Sequence, residues 1–340
     1  MTVLAVLAAF AVAAGLTRQF CDPASRLHIL DHPNERSLHS RPIPRSGGVA
    51  ILGGILVGGM LAYTLYPVSG EIGILLISAA PVILISFLDD RFGINPGIRM
   101  LVHFLAAIVL LGAGYGPDSL EMSGTAWIPP PGVLVSVLIL FVVWMINLYN
   151  FMDGIDGLAG GMAVIGFVTF AILGRDNGLF ASASLLIAGA VGGFLLFNFP
   201  PARIFLGDTG SSFLGLLVAA FSLWASRDGL FSLWVAVLIF SPFVVDASVT
   251  LLRRLAHGER IWRPHKTHYY QRLVQVGWGH RRTVLAEYVL MLSCSLSALV
   301  AVHMPVGIQT SLLVTWLLIY VFLMVGIQRL ERHCAKVTAS

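Results

Sequence analysis

Charged residues make up only 11% of the 340 positions, where soluble domains carry about a quarter. That deficit excludes an ordinary soluble fold. The space is taken by 57% hydrophobic residues, arranged in runs near the ~20 residues that cross a bilayer. No polar stretch is left over for a separate soluble domain, so residues 1–340 read as one membrane-embedded unit. Cysteine is almost missing: Cys21, Cys294 and Cys334 are scattered without paired spacing, which excludes a disulfide framework and a thiolate metal site. There is no low-complexity tract and no internal repeat. The run Thr2–Leu16 lacks a basic residue before it and has Arg18 after it; it reads as a retained first span in preference to a signal peptide.

What is present is an all-α polytopic pattern. Eleven spans are expected, over about residues 2–20, 47–68, 71–88, 98–116, 132–149, 157–174, 179–199, 211–226, 230–251, 284–303 and 307–327. Of the 21 Lys and Arg, only Arg175 and Arg227 fall outside the connections on one side. Basic residues are retained on the cytoplasmic side, so the N-terminus is expected outside and the C-terminus in the cytoplasm. Polar clusters at 31–46, 89–96, 150–156, 200–210 and 253–282 then share the cytoplasmic face, which points to one site. The small-xxx-small pairs Gly54/Gly58, Gly157/Gly161 and Gly189/Gly193 are expected at close helix crossings.

Asn147, Asn150, Asp153 and Asp156, in "NLYNFMDGIDGLAGG", are three apart throughout. On a helix they stay near one face, joining amides and carboxylates where a span re-enters lipid. A charge at full depth costs roughly 2.5–3.5 kcal/mol and less near the interface, so cation and phosphate binding, or amide bonding between helices, must offset it. The loop "DHPNERSLHSRPIPRSGG" is stiffened by prolines, and Gly47 and Gly48 permit close backbone approach. Its Arg36, Arg41 and Arg45 suit phosphate oxygens, or simply hold topology; His39 alone is an ordinary loop histidine. Asp89 and Asp90 repel, favouring a shared Mg²⁺, a basic partner or one raised pKa, unless they are a solvated helix end.

Asp208, among glycines, is a metal ligand or a helix cap in competition with Thr209, Ser211 and Ser212. Asp246 can pair with a basic group near the inner interface, for structure or function alike. His265, Lys266 and His268 form a compact donor set suited to a pyrophosphate; no nearby cysteine completes a zinc site. Tyr269 and Tyr270 stack on a base or anchor at the interface. Arg281, Arg282, His257 and His280 read as part of a polybasic surface facing anionic lipid.

Taken in order, Pro33-x-x-Arg36-x-x-His39, Pro42-x-Pro44-x-x-Gly47-Gly48, Asp89-Asp90, Asn147-x-x-Asn150-x-x-Asp153-Gly154-x-Asp156-Gly157-Leu158 and Gly207-Asp208-x-Gly210-Ser211 resemble the polyprenyl-phosphate N-acetylhexosaminyl-1-phosphate transferases. That family includes the phospho-N-acetylmuramoyl-pentapeptide transferases. Two departures stand out. Ser37 occupies a place where the family commonly has Lys, and His265-Lys266-Thr267-His268-Tyr269-Tyr270-Gln271 replaces a tighter histidine cluster. This histidine pattern resembles the branch that initiates O-antigen or related polysaccharides.

The resemblance implies transfer of a sugar-1-phosphate from a UDP-N-acetylhexosamine to undecaprenyl phosphate, with UMP released, at the cytoplasmic face of a bacterial inner membrane. It implies Mg²⁺, or Mn²⁺ in its place, on Asp208 with Asp153 assisting, and Asp89 orienting or deprotonating the lipid phosphate with Asp90 beside it in the catalytic set. Asn150 and Asp156 would hold the nucleotide sugar, His265 and His268 its phosphates. Arg36, His39, Arg45, Asn147 and Lys266 would complete substrate binding. Membrane lipid and a second copy of the chain are the other expected partners, and nucleic acid is not one. The rival reading is an ion-coupled transporter; its sites usually lie mid-membrane in paired repeats, whereas the acids here gather at one face.

Overall fold

A computed structural model describes residues 2–33, 38–39, 41–63, 70–122, 124–260 and 265–339. The helices in chain order are α1 (Thr2–Phe20), α2 (Gly47–Ala62), α3 (Gly70–Phe92), α4 (Pro96–Gly112), α5 (Pro131–Phe151), α6 (Leu158–Leu173) and α7 (Gly178–Asn198), followed by α8 (Gly207–Arg227), α9 (Leu233–Ile239), α10 (Ser241–Ala256), α11 (Tyr269–Leu273), α12 (Gly279–Ala301) and α13 (Val306–Ala339). Two short antiparallel pairs accompany them: β1 (Leu30–Asp31) with β2 (Ile43–Pro44), and β3 (Leu120–Met122) with β4 (Thr125–Trp127). The chain is a polytopic, all-α membrane protein.

Each expected span meets a helix, but the helices are not uniform. Among the described residues seven stretches are long and apolar enough to cross a membrane, and an eighth is the pair α9 and α10, bent by 82°. The apolar α2, α4 and α6 have 16, 17 and 16 residues, about 24 Å at 1.5 Å per residue and short of a ~30 Å hydrocarbon core. Residues 64–68 of the expected second span lie outside the described residues. The ninth span is broken at Phe240. Pro242 sits in the first turn of α10, where its missing N–H is harmless, whereas inside a continuous helix it would break the ladder.

The glycine pairs sit at close crossings. Gly54 and Gly58 of α2, and Gly189 and Gly193 of α7, both face α1: a Cβ on Gly54 would lie 2.5 Å from the Ala9 carbonyl, and one on Gly193 2.3 Å from that of Phe10. Gly157 and Gly161 instead admit Tyr288 of α12, whose ring a Cβ on Gly161 would meet at 2.1 Å.

The central element is α8. Thr209 to Ala225 are buried without interruption, packed by α2, α3, α5 and α9. Its two ends carry different chemistry. Asp208 opens it, and Arg227 closes it beside Glu71 at 3.6 Å and Asp228 at 2.7 Å. The connection between α4 and α5 holds the β3–β4 hairpin, tied down where Ser232 donates to Glu121 at 2.8 Å.

Candidate active site

The loop before α2 and the loop before α8 are joined by backbone. Phe205 N–H donates to the Pro44 carbonyl at 2.7 Å, Gly47 N–H to Phe205 at 3.0 Å and Gly48 N–H to Leu206 at 2.8 Å. Gly48 then crosses Gly210 so closely that a Cβ would stand 2.3 Å from its nitrogen. The close approach expected of Gly47 and Gly48 is therefore to Phe194 of α7 and the Phe205 carbonyl for the first and to α8 for the second. Gly207 takes φ +75° with the Arg45 carbonyl 2.3 Å from where a Cβ would be, so the turn into α8 admits no side chain.

Asp90, 3% exposed, caps α8 from another helix. Its Oδ1 accepts the Asp208 N–H at 2.9 Å, and its Oδ2 accepts the Thr209 N–H at 2.9 Å and Thr209 Oγ1 at 2.6 Å. Among the competing caps considered from sequence, none is the actual one. With both oxygens engaged, Asp90 holds Asp208 in place while lining the same cavity. Arg45 donates to the Asp90 carbonyl and lies 3.5 Å from Asp31, which also faces His39 Nε2 at 3.5 Å.

Asp89 points into a cavity of about 1040 Å³ that Asp208, Asp153, Asp156, Asn147 and Asn150 also line. Arg99, in the first turn of α4, donates to both Asp89 and Asp208, the latter at 2.5 Å. A single guanidinium thus bridges two acids from separate helices. The turn "GINPG" is what brings it there: Asn95 accepts the Gly97 N–H at 2.8 Å and Pro96 opens α4, reversing the chain over Asp89. Sequence reasoning missed Arg99.

Asn150 donates to Ser211 at 3.1 Å, and Asn147 donates to the Val143 carbonyl at 2.7 Å and contacts His103 Nδ1 at 3.2 Å. Asp156 accepts the Ala202 N–H at 2.9 Å and meets His280 at 2.9 Å. His280, taken from sequence as part of the basic surface, lines the cavity. Gly277 and Gly279, at φ +96° and +69°, turn the chain there and were the available signal. Asp153 lies between α5 and α6. Burial, then the carboxylates of Asp208, Asp90, Asp156 and Asp31, push its pKa well above the usual carboxylate range.

His265 and His268 line the cavity, their rings 4.9 Å apart. Burial, then His268 and Arg254, lower the His265 pKa to about 4, so at neutral pH this ring is uncharged. Lys266 is exposed and is not among the cavity's lining residues. Arg36 lies outside the described residues. Beyond Asn147 the lining turns apolar, with Met100, Leu140, Val143, Trp144 and Leu251 from α4, α5 and α10. Leu140 is 59% exposed on the helical surface, so this flank presents an open apolar face.

No group of three or more His, Cys, Asp or Glu among the described residues forms a ready metal cage. Mg²⁺ does not need one: it is bound through one or two carboxylates with waters and substrate phosphates. The bridging guanidinium marks a place where two acids already accept a cation, so the donor set of Asp89 and Asp208 fits.

A family model described as Glycosyl transferase family 4 matches residues 72–226. A probable undecaprenyl-phosphate N-acetylglucosaminyl 1-phosphate transferase of Bacillus subtilis (strain 168) is 33% identical over 287 residues, 82% of this chain and 78% of the relative. A decaprenyl-phosphate N-acetylglucosaminephosphotransferase of Mycobacterium tuberculosis (strain ATCC 25618 / H37Rv) is 34% identical over 305 residues, 78% and 74% of the two chains. A phospho-N-acetylmuramoyl-pentapeptide-transferase of Halalkalibacterium halodurans is 29% identical over 283 residues, 78% and 84%. All three relatives are transferases by name, and nothing in them supports the transporter reading.

Proposed function

The chain belongs to glycosyl transferase family 4, the polyprenyl-phosphate N-acetylhexosaminyl-1-phosphate transferases, and from that premise we propose that it moves an N-acetylhexosamine-1-phosphate from a UDP-sugar to undecaprenyl phosphate, releasing UMP. The observation that carries this reading is the two-sided cavity. Carboxylates, amides and histidines from five connections meet on one side, and an apolar flank between α4, α5 and α10 forms the other. A water-soluble nucleotide and a lipid phosphate need both.

Phosphoryl transfer asks little covalent work of the protein; positioning and charge neutralisation dominate. Asp208 and Asp89 would hold Mg²⁺, or Mn²⁺, with Asp153 within electrostatic reach; when bound the ion neutralises the charge of the donor diphosphate. Asp89 orients the acceptor phosphate, which is largely ionised at neutral pH because its second pKa is near 6. Arg99 is placed to exchange its carboxylate partners for phosphate oxygens. Asn150 and Asp156, held by Ser211 and His280, hold the nucleotide sugar, and His268 contacts its phosphates.

The same reading places the cavity at the cytoplasmic face of a bacterial inner membrane, with eleven crossings, the N-terminus outside and the product starting O-antigen or a related envelope polysaccharide. The test is direct: purified protein is given undecaprenyl phosphate, Mg²⁺ and a panel of UDP-N-acetylhexosamines, and the lipid product is identified by mass. One donor is expected to yield the lipid-linked diphosphosugar. Asp208→Asn is expected to fold and to lose Mg²⁺-dependent turnover. No product from any donor would refute the reading.

A further inference from the structure

Asp246 belongs to none of the roles above, yet it is one of the most heavily engaged carboxylates in the molecule. It sits in α10, 7% exposed, turned toward the cavity end by the 82° bend that precedes that helix. Its Oδ1 accepts the Tyr269 N–H at 3.0 Å and Thr250 Oγ1 at 3.0 Å, and Oδ2 accepts the Tyr270 N–H at 3.0 Å. The fourth donor is His268 Nδ1, at 3.3 Å from Oδ1. His268 is itself 2% exposed, its ring stacked between Phe151 at 6.3 Å and Tyr270 at 5.8 Å.

Capping the five residues of α11 would need only a neutral acceptor, and a buried carboxylate carries a desolvation cost that Asn or Ser avoids. The histidine supplies the reason for a charge. The nearby cations are engaged elsewhere: Arg253 donates to the Thr267 carbonyl at 3.3 Å and Arg272 pairs with Glu331. With Nδ1–H committed to Asp246, Nε2 is the ring atom left for the cavity.

We propose that Asp246 is a positioning residue for the transfer: it fixes the ring plane of His268 with Nδ1–H on the carboxylate, so that Nε2, taking up a proton from water as the nucleotide donor binds, donates to one of its phosphate oxygens, and the Asp246 charge balances the resulting imidazolium. This rests on the donor reading above.

Two measurements separate the inference from that reading. The first needs no turnover. In proton–nitrogen NMR of ¹⁵N-histidine-labelled protein in detergent, a protected low-field Nδ1–H resonance is expected in the native chain, absent from Asp246→Asn and from His268→Gln. Its persistence in Asp246→Asn would overturn the assignment even if no donor were ever turned over.

The other measurement is kinetic. Asp246→Asn and His268→Gln are each expected to raise the donor KM about tenfold with kcat within threefold of native, and the double variant to be no worse than either. Additive losses, or a native donor KM in either single variant, would overturn the proposal. If Asp246→Asn does not fold, Asp246→Glu keeps the charge and is read instead: a retained resonance with a donor KM within threefold of native supports positioning, and a lost resonance at native KM overturns it.

Discussion

Arg99 ties Asp89 to Asp208 with one side chain, and removing it leaves two facing carboxylates with no cation between them. Arg99→Ala is therefore expected to lose on the order of 2 kcal/mol of stability in cation-free buffer, with millimolar Mg²⁺ recovering much of it. Thermal unfolding with and without Mg²⁺ reads this, and equal Mg²⁺ shifts in variant and native protein would contradict it. Asp153 adds a proton to the same balance. Its raised pKa means the neutral form is the stable one, so its contribution is present at acid pH and is lost as pH rises through the folded value. A cation at the site reverses that loss, so Mg²⁺ affinity should rise with pH and binding should release protons, measurable by calorimetry in buffers of different ionisation enthalpy. His265 has the opposite sign. With a folded value of about 4 against 6.5, it stabilises above pH 6.5 and the contribution drains away as pH falls toward 4. His265→Gln should flatten the acid limb of the stability curve over that window.

At the scale of elements, glycine contacts decide which helices can meet. Gly193 lies against the Phe10 carbonyl and Ala14 nitrogen of α1 at 2.3 and 3.0 Å from a built Cβ, whereas neighbouring Gly192 meets only the Phe10 ring at 3.5 Å. Gly193→Leu is expected to displace α1 and lower the unfolding midpoint by several degrees, while Gly192→Leu is tolerated; matching midpoints would show that α1 is not held by this crossing. These pairs were legible because small-xxx-small spacing leaves a period in the sequence. The break before α10 was not. The apolar run 230–251 has the length of a span, and Ser241-Pro242 was read through, although Pro at the start of a helix is a known signal. The capping by Asp90 was hidden for a related reason: sequence order shows two adjacent acids, but only packing shows that the start of α8 brings its uncapped N–H groups to one of them.

Across the whole molecule, the ordered motifs gave the family and the gathering of acids, amides and histidines at one end, since each motif stands at a helix end and helix ends share a level. Which partner each side chain takes was hidden, because Arg99, His280 and Asp246 act through contacts between segments distant in sequence. Orientation is checked by labelling in a background with Cys21, Cys294 and Cys334 replaced. Asp176→Cys is expected to react with an impermeant maleimide applied to intact cells, and Lys266→Cys only after the membrane is opened. The reverse pattern would turn the assignment over.

The uninterrupted burial of α8 from Thr209 to Ala225 has a consequence for traffic. About 26 Å of packed helix stands between the acids at one end and the Arg227–Glu71–Asp228 group at the other, with no charged side chain along it. Under the proposed transfer, α8 offers a loaded sugar no charged path along its length, so the product is expected to remain in the leaflet where it was loaded.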